Sequence, residues 1–302
     1  MDDISLYIDY IIVSSFCTPV SSFSLPLHFH TLFKKGVNKL LSREIKSVLK
    51  NKRTYIVFTV LTIITLYDLW ININNNILLS IDTGGKIDWT TVIYPYYAAF
   101  LSSSSEGHVG TMLYSHLFPI YALIVIADSC VTEYKTGIYN ALSVRGGKKA
   151  IFFNKLLATF IVLFVMTLIT FIINYVCALV VFHDGTLSYL FIAENHILGQ
   201  IVALNPDLAY VVYMFVNAAI LSLVGVMCVC FGYIIKDLKV VYAVSLITWL
   251  IFIALPWSIT YVTQPYIEQG LEWIIPSLSI FLITVGILIW IAYKKRVLCD
   301  EL

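Results

Sequence analysis

The chemistry-bearing residues concentrate in one stretch, Ala127 to Lys155, where a polar interruption separates two strongly apolar runs. It holds an acid (Glu133), a lone glycine (Gly137), an arginine (Arg145), paired lysines (Lys148, Lys149) and a further lysine (Lys155). Val131, Tyr134, Ile138 and Leu142 recur at steps of three and four, which predicts a short helix with one apolar stripe. Such a helix between two spans would dock a soluble partner or lie on the lipid surface. Catalysis is not what these residues offer. The chain has no HExxH, no GxSxG and no paired His/Glu motif within a span. The GGK at Gly146–Lys148 lacks the earlier glycine of a Walker sequence and follows no predicted strand, so nucleotide binding by this chain is not expected. His108, His116, His183 and His196 match no metal-ligand spacing, and Cys228 and Cys230 read as packing residues. No enzyme, cofactor or metal site is expected in this chain.

The elements that must hold this stretch are membrane helices. Sixty per cent of the residues are apolar, 12% are charged and the mean hydropathy is +0.88. Several runs approach or exceed the roughly 20 apolar residues that cross a bilayer. In lipid every backbone group must be satisfied within its own segment, so these runs should be helices; continuous apolar stretches exclude alternating β-barrel strands. The fold class expected is an all-α integral membrane protein with six transmembrane helices. They are drawn at 54–73, 111–130, 150–182, 208–235, 240–261 and 276–293. Of the 19 lysines and arginines, all but Lys86 then fall on one side, while acids dominate the other. That asymmetry places both termini in the cytoplasm.

Residues 1–33 hold an apolar run too short to span, interrupted by Asp9 and without a basic segment before it, so no signal peptide is expected. One expectation for this head is a true start near Leu32. Residues 34–53 read as an interfacial helix. Val37, Leu40, Leu41, Ile45, Val48 and Leu49 form its apolar face; Lys39, Arg43, Lys46 and Lys50 face anionic lipid. Residues 54–296 form the six-span domain and 297–302 a cytoplasmic tail.

Within the domain, Asp68 near the end of the first span is expected to be hydrated, and Pro119 to kink the second. Residues 89–101 are too short and proline-broken to span; they should fold on the outer surface or dip into the interface. Tyr94, Tyr96 and Tyr97 suit an aromatic belt there. Charges are nearly absent from mid-span, which argues against an ion-coupled transporter.

TEYKTGIYNALSVRGGKKAIFFNK, set between the second and third of six spans, resembles the permease subunits of type-2 ABC exporters. Glu133, Gly137, Leu142, Arg145 and Lys155 stand in the family's order and comparable spacing. The basic helix at 36–52 is similar to its N-terminal connecting helix, and the proline-flanked segment 262–275 to its short re-entrant element. The resemblance covers residues 36–296, leaving 1–33 without a counterpart. It implies a coupling helix near 131–143 that docks a separate ATPase subunit. Glu133, Tyr134, Gly137, Ile138, Leu142 and Arg145 would be the contact residues. It further implies two ATPase copies carrying ATP and Mg, a second permease subunit (a homodimer), a plasma-membrane location and no nucleic-acid partner; the abundant Lys, Ile, Asn and Tyr suggest an AT-rich, bacterial genome. The expected cargo is apolar or amphipathic: a peptide, an antimicrobial or a lipid-like molecule, as in antimicrobial peptide resistance. The alternative is a non-transporting membrane anchor or regulatory partner of a soluble protein.

Overall fold

The computed structural model describes residues 40–78, 81, 87–102, 109–127, 131–133, 136–138, 142, 144, 147–187, 205–235, 237–264 and 270–298, all within the unit Lys39–Leu302. Helix α1 (40–49) leads through Asn51, whose side chain accepts from the Arg53 N–H, into α2 (Lys52–Ile73). A wider π-type turn, Asn74–Leu78, extends α2. A short α3 (Pro95–Ala98) follows, then α4 (Val109–His116) and α5 (Phe118–Ala122), which continues through Leu123–Ala127. The long α6 (Lys148–Val181) and α7 (Pro206–Ile234) precede α8 (Leu238–Ala254), α9 (Thr260–Thr263) and α10 (Leu271–Tyr293). The described residues hold no strand, only the isolated bridge Ile93–Leu187.

Four of these helices are long and apolar enough to cross a membrane: α2 and α10 with their extensions, α6 and α7. This is an all-helical membrane protein. The expected second span is a pair, α4 and α5, bent by 46° at Leu117. Pro119 accounts for the bend, because it has no N–H to give the carbonyl four residues back, that of Ser115. The Trp249 indole N–H donates to that carbonyl instead, at 2.7 Å. The expected fifth span ends at Ala254 rather than Tyr261. Pro256 forces Leu255 into extended backbone, and α8 keeps 17 residues, ~25 Å of helix. The Ser258 hydroxyl donates to the stranded Ile253 carbonyl. By contrast α6 has 34 residues, ~51 Å, well beyond a hydrocarbon core of ~30 Å.

Ring contacts show how the helices run. Phe152 at the start of α6 lies 5.2 Å from Tyr233 and 5.7 Å from Tyr293, the last turns of α7 and α10. Tyr175 near the far end of α6 stacks on Tyr210 in the first turns of α7 at 4.2 Å. Thus α6 is antiparallel to both, and the bundle has a Lys155 end and an Asp207 end. The α7 helix is its centre: 78% of its apolar window is buried, against 22% for α10. Gly225 lets α7 approach α6 so closely that an added Cβ would run into the Leu163 side chain. Outward, Ile63 and Trp70 on α2, Val180 on α6, and Ile283 and Trp290 on α10 remain exposed, as lipid-facing side chains do.

Two expectations are corrected at the Asp207 end. Asp68 is fully buried, beside Phe100, Gly110 and Tyr210, not hydrated. Its nearness to a helix end had suggested depth, but its facing decides: it shares a stripe with the buried Leu61, Thr65 and Asn72. Of residues 89–101, expected on the outer surface or dipping into the interface, Thr90 and Thr91 are exposed, but the stretch from Val92 packs inside the protein rather than on its surface. Val92, Ile93, Tyr96, Tyr97, Ala98, Ala99, Phe100 and Ser102 are all buried. Tyr96 and Tyr97 therefore pack inside protein rather than in a lipid belt. The backbone of this inserted segment is held by side chains from three helices. Asn72 Nδ2 of α2 donates to the Ala98 carbonyl, the Phe100 N–H to Asn174 Oδ1 of α6, and the Leu101 N–H to Tyr210 Oη of α7. Beyond the turn of α3 and the bridge to Leu187, these contacts are what make its burial tolerable.

At its edge the Tyr94 hydroxyl donates to Asp207 Oδ2 at 2.9 Å, and the Tyr175 hydroxyl to Asp207 Oδ1 at 2.6 Å. Burial, and then the Asp207 carboxylate, push the Tyr94 phenol from its ordinary 10 up to about 12. The folded value lies above the unfolded one, so this stabilisation is fully present below pH 10 and is lost as pH rises through about 12. Alkaline unfolding followed by circular dichroism should therefore show a smaller loss of stability over that interval in Tyr94→Phe than in the parent. An identical alkaline limb in both proteins would contradict the assignment.

Candidate functional site

At the Lys155 end, a buried cation joins three chain segments. Lys155 is 3% exposed on the inward stripe of α6, with Phe152 and Thr159. Its ammonium lies 3.0 Å from Glu44 Oε2 of α1 and 2.8 Å from Glu133 Oε1 of the segment after α5. Charge out of water is tolerated only where opposite charge and hydrogen bonds replace hydration, and two carboxylates supply both. Glu44 is itself buried and also meets Arg43 at 4.0 Å. The Thr54 hydroxyl donates to the Val48 carbonyl at 2.7 Å and fixes the corner between α1 and α2. The junction therefore ties α1, the α2 corner, the 131–133 segment and the head of α6 together.

The predicted contact residues fall into distinct settings. Glu133 is committed to Lys155 rather than free on a surface. Gly137 and Ile138 are exposed, Ile138 by 49%, while Leu142 is half-buried against the apolar core. Tyr134 and Arg145 lie outside the described residues. A single unbroken stripe over Val131, Ile138 and Leu142 is not what forms: Val131 is buried and Ile138 faces out. The reason is Gly137. The Thr136 N–H and hydroxyl both return to the Thr132 carbonyl, and Gly137 then takes φ +71°, the left-handed conformation that ends a helical turn. An added Cβ at Gly137 would meet nothing, so the requirement for glycine there is one of backbone, not of space.

Of the residues 34–53 expected to form one interfacial helix, 40–49 form α1 and α2 begins at Lys52. Val48 is buried, Leu40, Leu41 and Ile45 are half-buried, and Arg43, Lys46 and Lys50 are exposed on the other side. Leu49, assigned to the apolar face, is exposed instead. Lys39 and the head 1–33 lie outside the described residues. Glu44 was missed by sequence reasoning, although a signal existed. It falls at the four-residue step between Leu40 and Val48, an acid on an apolar stripe, which calls for a buried cation. Asp207 left only a weaker signal, an acid in the first turn of a spanning helix.

Removing the cation should be worse than removing either acid. Lys155→Met leaves buried Glu44 and half-buried Glu133 facing one another without their cation, at a cost of about 3–5 kcal/mol. Its unfolding midpoint in detergent should fall well below that of Lys149→Met, a change at an exposed lysine of the same helix. Equal midpoints for the two variants would show that the junction bears no load.

No family model matches the chain, and no solved structure matches it. Among curated proteins it is similar to the uncharacterized protein YybM of Bacillus subtilis (strain 168). The two are 27% identical over 262 residues, taking in 85% of this chain and 98% of that protein.

Proposed function

We propose that this chain is the membrane-spanning permease subunit of an ATP-driven exporter, moving an apolar or amphipathic cargo outward with power from a separate ATPase. The observation that carries the reading is the Lys155 junction. A push on the segment around Gly137 and Ile138 reaches Glu133 within one helical turn and, through Lys155, the head of the longest helix. The same ammonium holds Glu44, so α1 moves with it. Exposed Ile138 beside an exposed, left-handed Gly137 is the surface a soluble partner would grip.

In this reading the bent pair α4–α5 and the short α8 join the four full-length helices as six spans. Both termini lie in the cytoplasm, and Arg43, Lys46 and Lys50 meet anionic lipid headgroups. Two such chains pair, each bound to one ATPase copy that holds ATP and Mg. Tyr134 and Arg145 complete the contact begun by Glu133, Gly137, Ile138 and Leu142. The membrane is a bacterial plasma membrane, and resistance to an antimicrobial peptide is one role such an exporter serves.

Affinity purification of the tagged chain from its native membrane, with mass spectrometry of its companions, tests this. A stoichiometric Walker-motif ATPase is expected. Ile138→Asp should weaken its retention by about tenfold or more while leaving the unfolding midpoint unchanged, because Ile138 packs against little. Clean purification without an ATPase, in gentle detergent and at good yield, would replace this reading with that of a membrane anchor or regulatory partner.

A further inference from the structure

We propose that residues 92–102 are a removable gate over the Asp207 end of the bundle, with Asp207 as its latch. Three observations lead there. First, the segment is buried and belongs to no spanning helix; apart from the single turn of α3 it is inserted between α2, α6 and α7 and held through side-chain bonds to its backbone from Asn72, Asn174 and Tyr210. Each of those bonds can be exchanged for one to water once water enters, which is not true of an apolar wedge in lipid. Second, what lies beneath is polar where lipid-facing helices have no need of it. Phe100 rests on Tyr114, at 5.3 Å between rings, and the Tyr114 hydroxyl meets the Thr170 hydroxyl at 2.8 Å. The Asn174 amide reaches on to the Thr65 carbonyl at 2.8 Å. Intramembrane polar groups of this kind mark a path for water or solute.

Third, the edge of the segment is fastened to the helices by one carboxylate. The Tyr94 hydroxyl on the gate and the Tyr175 hydroxyl on α6 share the two oxygens of Asp207, in the first turn of α7. A neighbouring loop locks over it. The Thr186 and Leu187 N–H groups donate to the Val92 carbonyl, the Tyr94 N–H donates to the Leu187 carbonyl, and Gly185 passes so close to the Ile93 carbonyl that a side chain there would collide. Losing Tyr94 from Asp207 leaves Asp207 still bonded to Tyr175, so the latch can open without orphaning the carboxylate. The helices can stay packed while the gate lifts.

The test needs neither an ATPase nor a known cargo, so it stands or falls apart from the exporter reading. Hydrogen exchange on the intact wild-type chain in nanodiscs should show peptides covering 92–102 exchanging about 100-fold or more faster than those from the core of α7, through a local opening. Asp207→Asn and Tyr94→Phe should each raise the 92–102 rate about tenfold and leave α7 unchanged. A second readout places a cysteine at buried Thr170 in a background with the native cysteines replaced, and adds a membrane-impermeant maleimide. Labelling should be slow in that parent and at least about tenfold faster with Asp207→Asn. Wild-type protection of 92–102 equal to that of α7 would overturn the gate, because the segment would then open only with global unfolding. Labelling of the Thr170 cysteine that Asp207→Asn leaves unchanged would overturn the latch.

Discussion

A lysine held inside a membrane bundle is the interaction on which the Lys155 end depends. An ammonium this deep cannot be left alone, since its desolvation would outweigh any packing gained around it. Its presence therefore dictates that two acids arrive from elsewhere in the chain. Glu44 arrives from the helix before the first span and Glu133 from the turn after the bent pair. The contacts span 111 and 22 residues of sequence, so one side chain closes two loops at once. A hydrophobic substitute of the same shape would fill the space, but would give α1 and the 131–133 segment no common point of register. That shared register is what makes the junction suited to passing a displacement from a surface turn to the longest helix.

The other constraint is the satisfaction of backbone groups where water is scarce. It explains several features that look unrelated. Pro119 frees the Ser115 carbonyl, and Trp249 takes it; Pro256 ends α8, and Ser258 takes the Ile253 carbonyl. The irregular segment 92–102 is admitted because Asn72, Asn174 and Tyr210 supply the partners that a strand neighbour would otherwise give. Several of the polar contacts in this bundle serve carbonyls and N–H groups that the chain frees where it departs from the helix, which is where lipid offers nothing in their place.

Much of this was legible from residue types. Long apolar runs gave α2, α6, α7 and α10, because helix is the form in which each satisfies itself. Pro119 gave the bend, and the four-residue spacing of Leu41, Ile45 and Leu49 against Arg43, Lys46 and Lys50 gave α1, with Leu49 misplaced. Facing was harder to read. Asp68 lies near a helix end, where hydration is the expectation, yet its position on the stripe of Leu61, Thr65 and Asn72 turns it inward. The segment 92–102 was too short to span, and length alone cannot distinguish a surface loop from one inserted among helices. The stripe through Val131, Ile138 and Leu142 obeyed helical spacing, but Gly137 within it was a stop signal, and its positive φ breaks the face. Pairings such as Glu44 with Lys155 join residues far apart in sequence, and no local pattern reports them.

The claim that Lys155 couples α1 and the 131–133 segment to α6 is tested most directly by double-mutant cycles. Glu44→Gln and Glu133→Gln are each combined with Lys155→Met, and unfolding free energies are measured in detergent. Both cycles should give coupling of about 1 kcal/mol or more, since each acid acts through the same ammonium. Additivity within about 0.5 kcal/mol in both cycles would mean that the three side chains are neighbours without a shared role, and the account of a common junction would fail.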